Sequence, residues 1–167
     1  AEIVEARRVF LKPEEAHDVI QLDYAAPPQV LWEWFNDPRK RGQWMHSEIV
    51  PVMRVGGRSG PGARNHCVHG KNEVVVEEVL DIRPFDYVTV THTPRGTPAT
   101  LLITFHFTSA PNGGTHLQMT FRGQLKSMPD FAGRLVCKFA LEFQLKRLWA
   151  FDKIDELIAR NGRLEAT

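Results

Sequence analysis

The sequence predicts an α+β domain: a curved, seven-stranded antiparallel sheet around a long C-terminal helix, with two short helices after the first strand. Three observations lead there. After the opening SMPD, the stretch Ser127 to Gly162 contains no further proline, and its apolar positions spread around more than half of a helix. Such a helix, roughly 45–50 Å long at about 1.5 Å per residue, must be wrapped by something apolar. The residues before it break into strand-length runs separated by short turns, which makes neighbouring strands antiparallel. Two proline-led helical segments follow the first strand in direct succession.

The elements follow in order. Ala1 to Glu15 fits neither helical nor strand period and reads as an extension packed on the domain, giving an extension over 1–16 and a domain over 17–162. His17 to Tyr24 alternates Ile20, Leu22 and Tyr24 with Gln21 and Asp23, a half-buried strand. Pro27-Pro28 opens a helix with Val30, Leu31, Trp34 and Phe35 as its stripe; Asp37-Pro38 ends it and starts a second, closed near Gly42 to Trp44. Glu48 to Val55 carries Pro51, which marks an edge strand or a bulge. The Gly56–Gly62 loop follows, glycine-rich enough to move and a candidate gate. Further strands are expected over Ala63–His69, Asn72–Ile82, Tyr87–Thr93, Ala99–Thr108 and Thr115–Leu125, with turn residues at each break. Ser127 with Asp130 reads as the capping start of the last helix and Gly162 as its stop.

Composition narrows the function. The chain has 167 residues with 21 basic and 20 acidic side chains, a balance that offers no electrostatic case for nucleic acid or an anionic membrane. No apolar run reaches the ~20 residues of a membrane span. The opening AEIVEARRVF lacks the apolar core of a signal peptide. Cys67 and Cys137 read as reduced thiols, so a cytoplasmic protein is the expectation. The phosphate-loop, dinucleotide, zinc-protease and serine-hydrolase signatures are missing, and no cofactor is expected.

The order of elements, with APPQVLWEWFNDPRKRGQW and then PGARNHCVHGKNEVVVEEVLDIRPFDYVTVTH, resembles the START-like, Bet v 1-like superfamily of polyketide cyclases and lipid-transfer domains, which share the helix-grip fold. The resemblance covers about Asp18 to Ile158. It implies a cavity between sheet and helix that holds a small hydrophobic or amphipathic molecule. Members bind lipids, hormones or polyketides, some catalyse cyclisation or dehydration, and others assist Hsp90; the fold alone does not choose among these.

Strand parity sorts the side chains. Leu101, Ile103, Phe105 and Phe107 form an inner face, as do Leu117, Met119 and Phe121, which turns His106 and His116 outward. On Ala63–His69 the solvated Arg64 leaves Asn65, Cys67 and His69 as the inward set. Val88, Val90 and His92 share a face, bringing His92 toward the same cavity. Asn65, Cys67, His69, His92, Phe105 and Met119, with Leu135, Phe139 and Phe143 from the helix, are therefore the expected ligand contacts. His69 and His92 are the candidate acid/base groups of a cyclase or dehydratase, with Glu78 a weaker one sharing the parity of Val74, Val76 and Leu80. A metal on Cys67, His69 and His92 lacks a fourth ligand, so none is expected. Ligand binding is the first expectation, with a histidine-dependent cyclase/dehydratase and an Hsp90-activator-type interaction module as alternatives. A protein partner is left unspecified.

Overall fold

Seven strands form one antiparallel sheet in the order β1-β7-β6-β5-β4-β3-β2. The computed structural model of the chain describes residues 9–165 except 55, 58 and 72. The strands are β1 (Asp18–Tyr24), β2 (Glu48–Met53), β3 (Arg64–His69), β4 (Glu73–Arg83), β5 (Tyr87–Pro94), β6 (Ala99–Ser109) and β7 (Thr115–Leu125). The edge position inferred from Pro51 is correct: among the described residues β2 pairs with β3 alone, and the register slips between Pro51 and Met53. Between β1 and β2 lie α1 (Pro28–Asn36), with Pro27 as N-cap, and α2 (Pro38–Met45). The Asp37 carboxylate accepts from the backbone N–H groups of Arg39 and Lys40, so one residue ends α1 and caps α2.

The concave face carries the core. Leu101, Ile103, Phe105 and Phe107 of β6 and Leu117, Met119 and Phe121 of β7 are buried there, as alternation required. They meet Leu31, Trp34 and Phe35 of α1 and Trp44 and Met45 of α2. Trp44 donates its indole N–H to the carbonyl of Trp34 at 2.8 Å, which locks the two short helices together.

The convex face is also covered in part. Thr89, Thr104 and Thr120 point away from the core, yet each is at most 2% exposed. The chain before β1 crosses over them. The Leu11 N–H donates to Thr104 Oγ1 at 3.1 Å, and Thr120 Oγ1 donates to the Leu11 carbonyl at 2.7 Å. Phe10 sits edge-on to Tyr87 and His106, with ring centroids 5.1 and 5.2 Å apart. Val9 N–H reaches Asp81 Oδ2 at 2.9 Å. His106 and His116 lie on this outer side, paired with Asp86 and Asp23.

The C-terminal segment is helical but not one unbroken rod. It comprises α3 (Asp130–Phe139), a π-helical turn (Ala140–Leu145), α4 (Lys146–Leu148), a 3-10 turn (Phe151–Lys153) and α5 (Ile154–Glu165). The break falls at Trp149-Ala150, where no proline or glycine marks it. Instead the Ala150 N–H donates to the Trp44 carbonyl at 2.8 Å, and Trp149 is buried. Tertiary contacts override an uninterrupted helical pattern here. The ends differ from expectation as well. Ser127 has a positive φ of 62° and makes no cap, Pro129 is the N-cap, and the last helix runs past Gly162 to Glu165.

Candidate functional site

The middle of the sheet's inner face is apolar except at one place; at its margin Thr115 is buried too, donating its hydroxyl to the Ala26 carbonyl. Glu77, in the middle of β4, is fully buried. Its direct partner on β3 is Asn65, and on β5 it is His92. All three point inward. Arg41 reaches the same point from α2, where it shares a helical face with Trp44 and Met45 at i+3 and i+4. The guanidinium donates from Nη1 to Glu77 Oε1 at 2.7 Å and from Nη2 to Oε2 at 2.6 Å, a bidentate pair. Asn65 Nδ2 adds a bond to Oε1 at 2.7 Å, and Arg54 Nη2 in turn donates to Asn65 Oδ1 at 2.8 Å. His92 Nε2 lies 2.7 Å from Glu77 Oε2.

Electrostatics decide the protonation of this cluster. Burial on its own would raise the Glu77 carboxyl, but the charge and hydrogen bonds of Arg41, and then of His92, hold it well below its ordinary 4.5. An ionised carboxylate only accepts, so His92 Nε2 carries the hydrogen and donates. Cys67, one inward step from Asn65 on β3, is pushed up to about 12, by burial first and then by the nearby Glu77 charge, with Arg41 opposing. It is a protonated thiol and no nucleophile.

Around this cluster the walls are aromatic. Trp149 stands edge-on to His92 at 5.7 Å and to Trp44 at 5.5 Å, and stacks on Phe105 at 6.5 Å. A residual cavity of about 10 Å³ lies between Arg41, Asn65 and Glu77 on one side and Val79, Val90 and Phe105 on the other. Ser59, from the glycine-rich loop, also borders it. That volume is on the order of a single water.

The sequence-derived residues divide as follows. Asn65, Cys67 and His92 converge as expected on the inner face, with Phe105 on the cavity wall and Met119 fully buried in the core. His69 sits partly buried at the end of β3. Glu78 is a correction: it points outward and pairs with Arg64 at 3.0 Å, because the inward parity of β4 is Val75, Glu77 and Val79. Leu135 and Phe139 are also corrections. They are 63% and 61% exposed, because α3 meets β7 through its small side, Ala132, Gly133 and Cys137. A methyl group on Gly133 or Gly123 would collide with the other's carbonyl oxygen, so the backbones touch there and the large side chains turn away. The side chain of Phe143 lies outside the described residues. Glu77 and Arg41 were missed. Among the described residues, no group of three or more His, Cys, Asp or Glu is arranged to hold a metal ion.

Residues 17–149 match the family described as polyketide cyclase / dehydrase and lipid transport. The chain belongs to this family. Among curated proteins nothing matches. Protein MLL2253 from Mesorhizobium loti is 24% identical over 86% of this chain and 96% of its own, with a TM-score of 0.62. Ara h 8.0201 is 16% identical over 86% and 97%, also at 0.62. DynU16, a protein of the dynemicin biosynthetic locus, is 20% identical over 75% of this chain and 46% of its own, at 0.53. These likenesses establish the helix-grip fold that the family shares. Among the described residues, no helix is long and apolar enough to cross a membrane.

Proposed function

We propose that this family member binds a small apolar or amphipathic molecule between the sheet and the C-terminal helical segment, against the Arg41–Glu77–His92 cluster. One observation carries the reading: a buried, hydrogen-bonded ionic cluster faces a cavity whose remaining walls are aromatic and aliphatic apart from Asn36 and Ser59. A site of that make-up holds a ligand by apolar burial and orients it by a few polar contacts. The ligand's apolar body takes the place of Trp149, whose segment is interrupted at Ala150 and follows a π-helical turn. Interruptions of that kind occur where a helix must rearrange. Entry then requires the Trp149 segment or the Ser59 loop to move, since about 10 Å³ holds no lipid.

The test is native mass spectrometry of the purified protein, followed by titration with N-phenyl-1-naphthylamine. The expected result is a co-purifying small molecule or saturable probe binding, with Trp149→Ala enlarging the site and raising probe affinity. Absence of both a bound molecule and saturable binding, in wild type and Trp149→Ala alike, removes the proposal.

A second reading rests on the His92–Glu77 pair. A carboxylate that fixes Nε2–H leaves Nδ1 as a base, the arrangement for taking a proton from a carbon beside a carbonyl in a cyclisation or dehydration. His92→Gln then abolishes turnover while probe binding persists. Turnover unchanged after replacement of both His92 and His69 eliminates this reading.

A further inference from the structure

On α3 and just before it, Met128, Phe131, Leu135 and Phe139 are 52%, 62%, 63% and 61% exposed. Phe131, Leu135 and Phe139, spaced by four, lie along one line of the helix surface, and Met128 precedes its first turn. Single exposed apolar residues are ordinary, but a run of large ones along one helical line marks an interaction surface. Its border is cationic. Residues 126–148 hold Lys126, Arg134, Lys138, Lys146 and Arg147 against only Asp130 and Glu142, whereas the whole chain is balanced to a net +1. The overall balance thus conceals a local excess of positive charge, which the whole-chain count could not reveal.

The stripe also ends in a polar recess. Met128 contributes to an open groove of about 630 Å³ that is further lined by Thr97, Gln124, Lys126, Ser127 and the Arg122–Asp130 ion pair. Hydroxyl, amide and ammonium groups suit the depth of lipid headgroups, and phenylalanine and leucine suit the acyl boundary below them.

We propose that α3 docks on the surface of an anionic phospholipid bilayer, with Phe131, Leu135 and Phe139 inserted at the acyl boundary and the flanking cations among the headgroups. The apolar side chains supply burial, and Lys138 with its neighbours supplies attraction to the negative surface. A second copy of the chain fits less well, because a two-fold contact on this face sets cationic borders against each other. The proposal does not depend on what the interior binds: vesicle binding reports on the outer face of α3, whereas probe binding reports on the cavity.

The experiment is flotation of the full chain with vesicles of phosphatidylcholine alone and with phosphatidylglycerol added. Partition is expected with the anionic vesicles and weakens as salt is raised. Phe131→Ser/Leu135→Ser is expected to lower it about tenfold or more, and Lys138→Glu to lower it less. Val52→Ser, an exposed position on β2, is the control and leaves partition unchanged. All four positions are solvent-facing, so thermal melting of the variants stays near wild type and reports that they fold. Failure of the wild type to float with anionic vesicles at low salt overturns the proposal. So does full flotation of the double variant, or a solution dimer that the double variant dissolves, which assigns the face to a second copy.

Discussion

Both faces of the sheet bury polar groups far from water, and they do so by opposite means. On the concave face the central buried cluster is built around charges. Glu77 is neutralised by the Arg41 guanidinium and receives further bonds from Asn65 and His92. On the convex face they are neutral hydroxyls. Thr104 and Thr120 are satisfied by the backbone of Leu11, and Thr89 by the hydroxyl of Thr104. A buried ion pair gains little over well-packed apolar residues but is costly to break, because the surviving charge stays in the interior. A hydroxyl that loses its partner forfeits far less. The inner cluster is therefore an expensive feature for stability alone, which is consistent with a role in orienting a ligand. The outer one reads as packing.

Three measurements break or sharpen that contrast. The largest effect is expected for Arg41→Met, which strands Glu77 and should lower unfolding free energy in urea by about 3–5 kcal/mol. Adding Glu77→Met to that variant should recover most of the loss, because the orphaned charge is gone. A double variant as unstable as the single one would mean that the cluster is needed for packing rather than merely for charge balance.

The next effect is in the response to acid. The folded Glu77 carboxyl lies well below 4.5, so its contribution is fully present above that value and is lost as pH falls through the folded value. Denaturation between about pH 6 and pH 3 should show stability falling less steeply in Glu77→Gln than in wild type. Equal slopes would show that other carboxylates dominate acid unfolding. The smallest effect is on the convex face, where Thr120→Val or Thr104→Val should cost about 1 kcal/mol each. A loss matching that of Arg41→Met would erase the distinction between the faces.

Much of the fold was legible in the sequence because its signals are local. The alternation in β6 and β7, the Asp37-Pro38 junction and the turn residues each act over a few positions, and the structure follows them. The inward side of β3 was also legible, since Arg64 cannot face the core. Glu77 was not, because VVVEEVL carries valines on both parities and a glutamate on each. The missing information was register: Asn65 and His92 flank Glu77 directly in the sheet. Two inward polar residues on neighbouring strands were a signal that something polar lay between them. Arg41 was one of three cations in PRKRGQWM, and only its spacing to Trp44 and Met45 marked it. The break at Trp149-Ala150 left no local trace, since its cause is the Trp44 carbonyl roughly a hundred residues away in the chain.

The contact between Gly123 and Gly133 has a mechanical consequence. Where backbone rests on backbone there is no side chain to rearrange, so that point behaves as a fulcrum. The N-terminal end of α3 is further clamped there, with Asp130 bonded to His17, Arg122 and Arg134. Beyond the interruption at Trp149 the segment is held differently, by the Ala150 N–H on the Trp44 carbonyl and by Asp155 accepting from the Ala25 and Ala26 N–H groups. The two residues with no side chain thus set a fixed backbone-to-backbone distance at one end, while hydrogen bonds that can break and re-form hold the other.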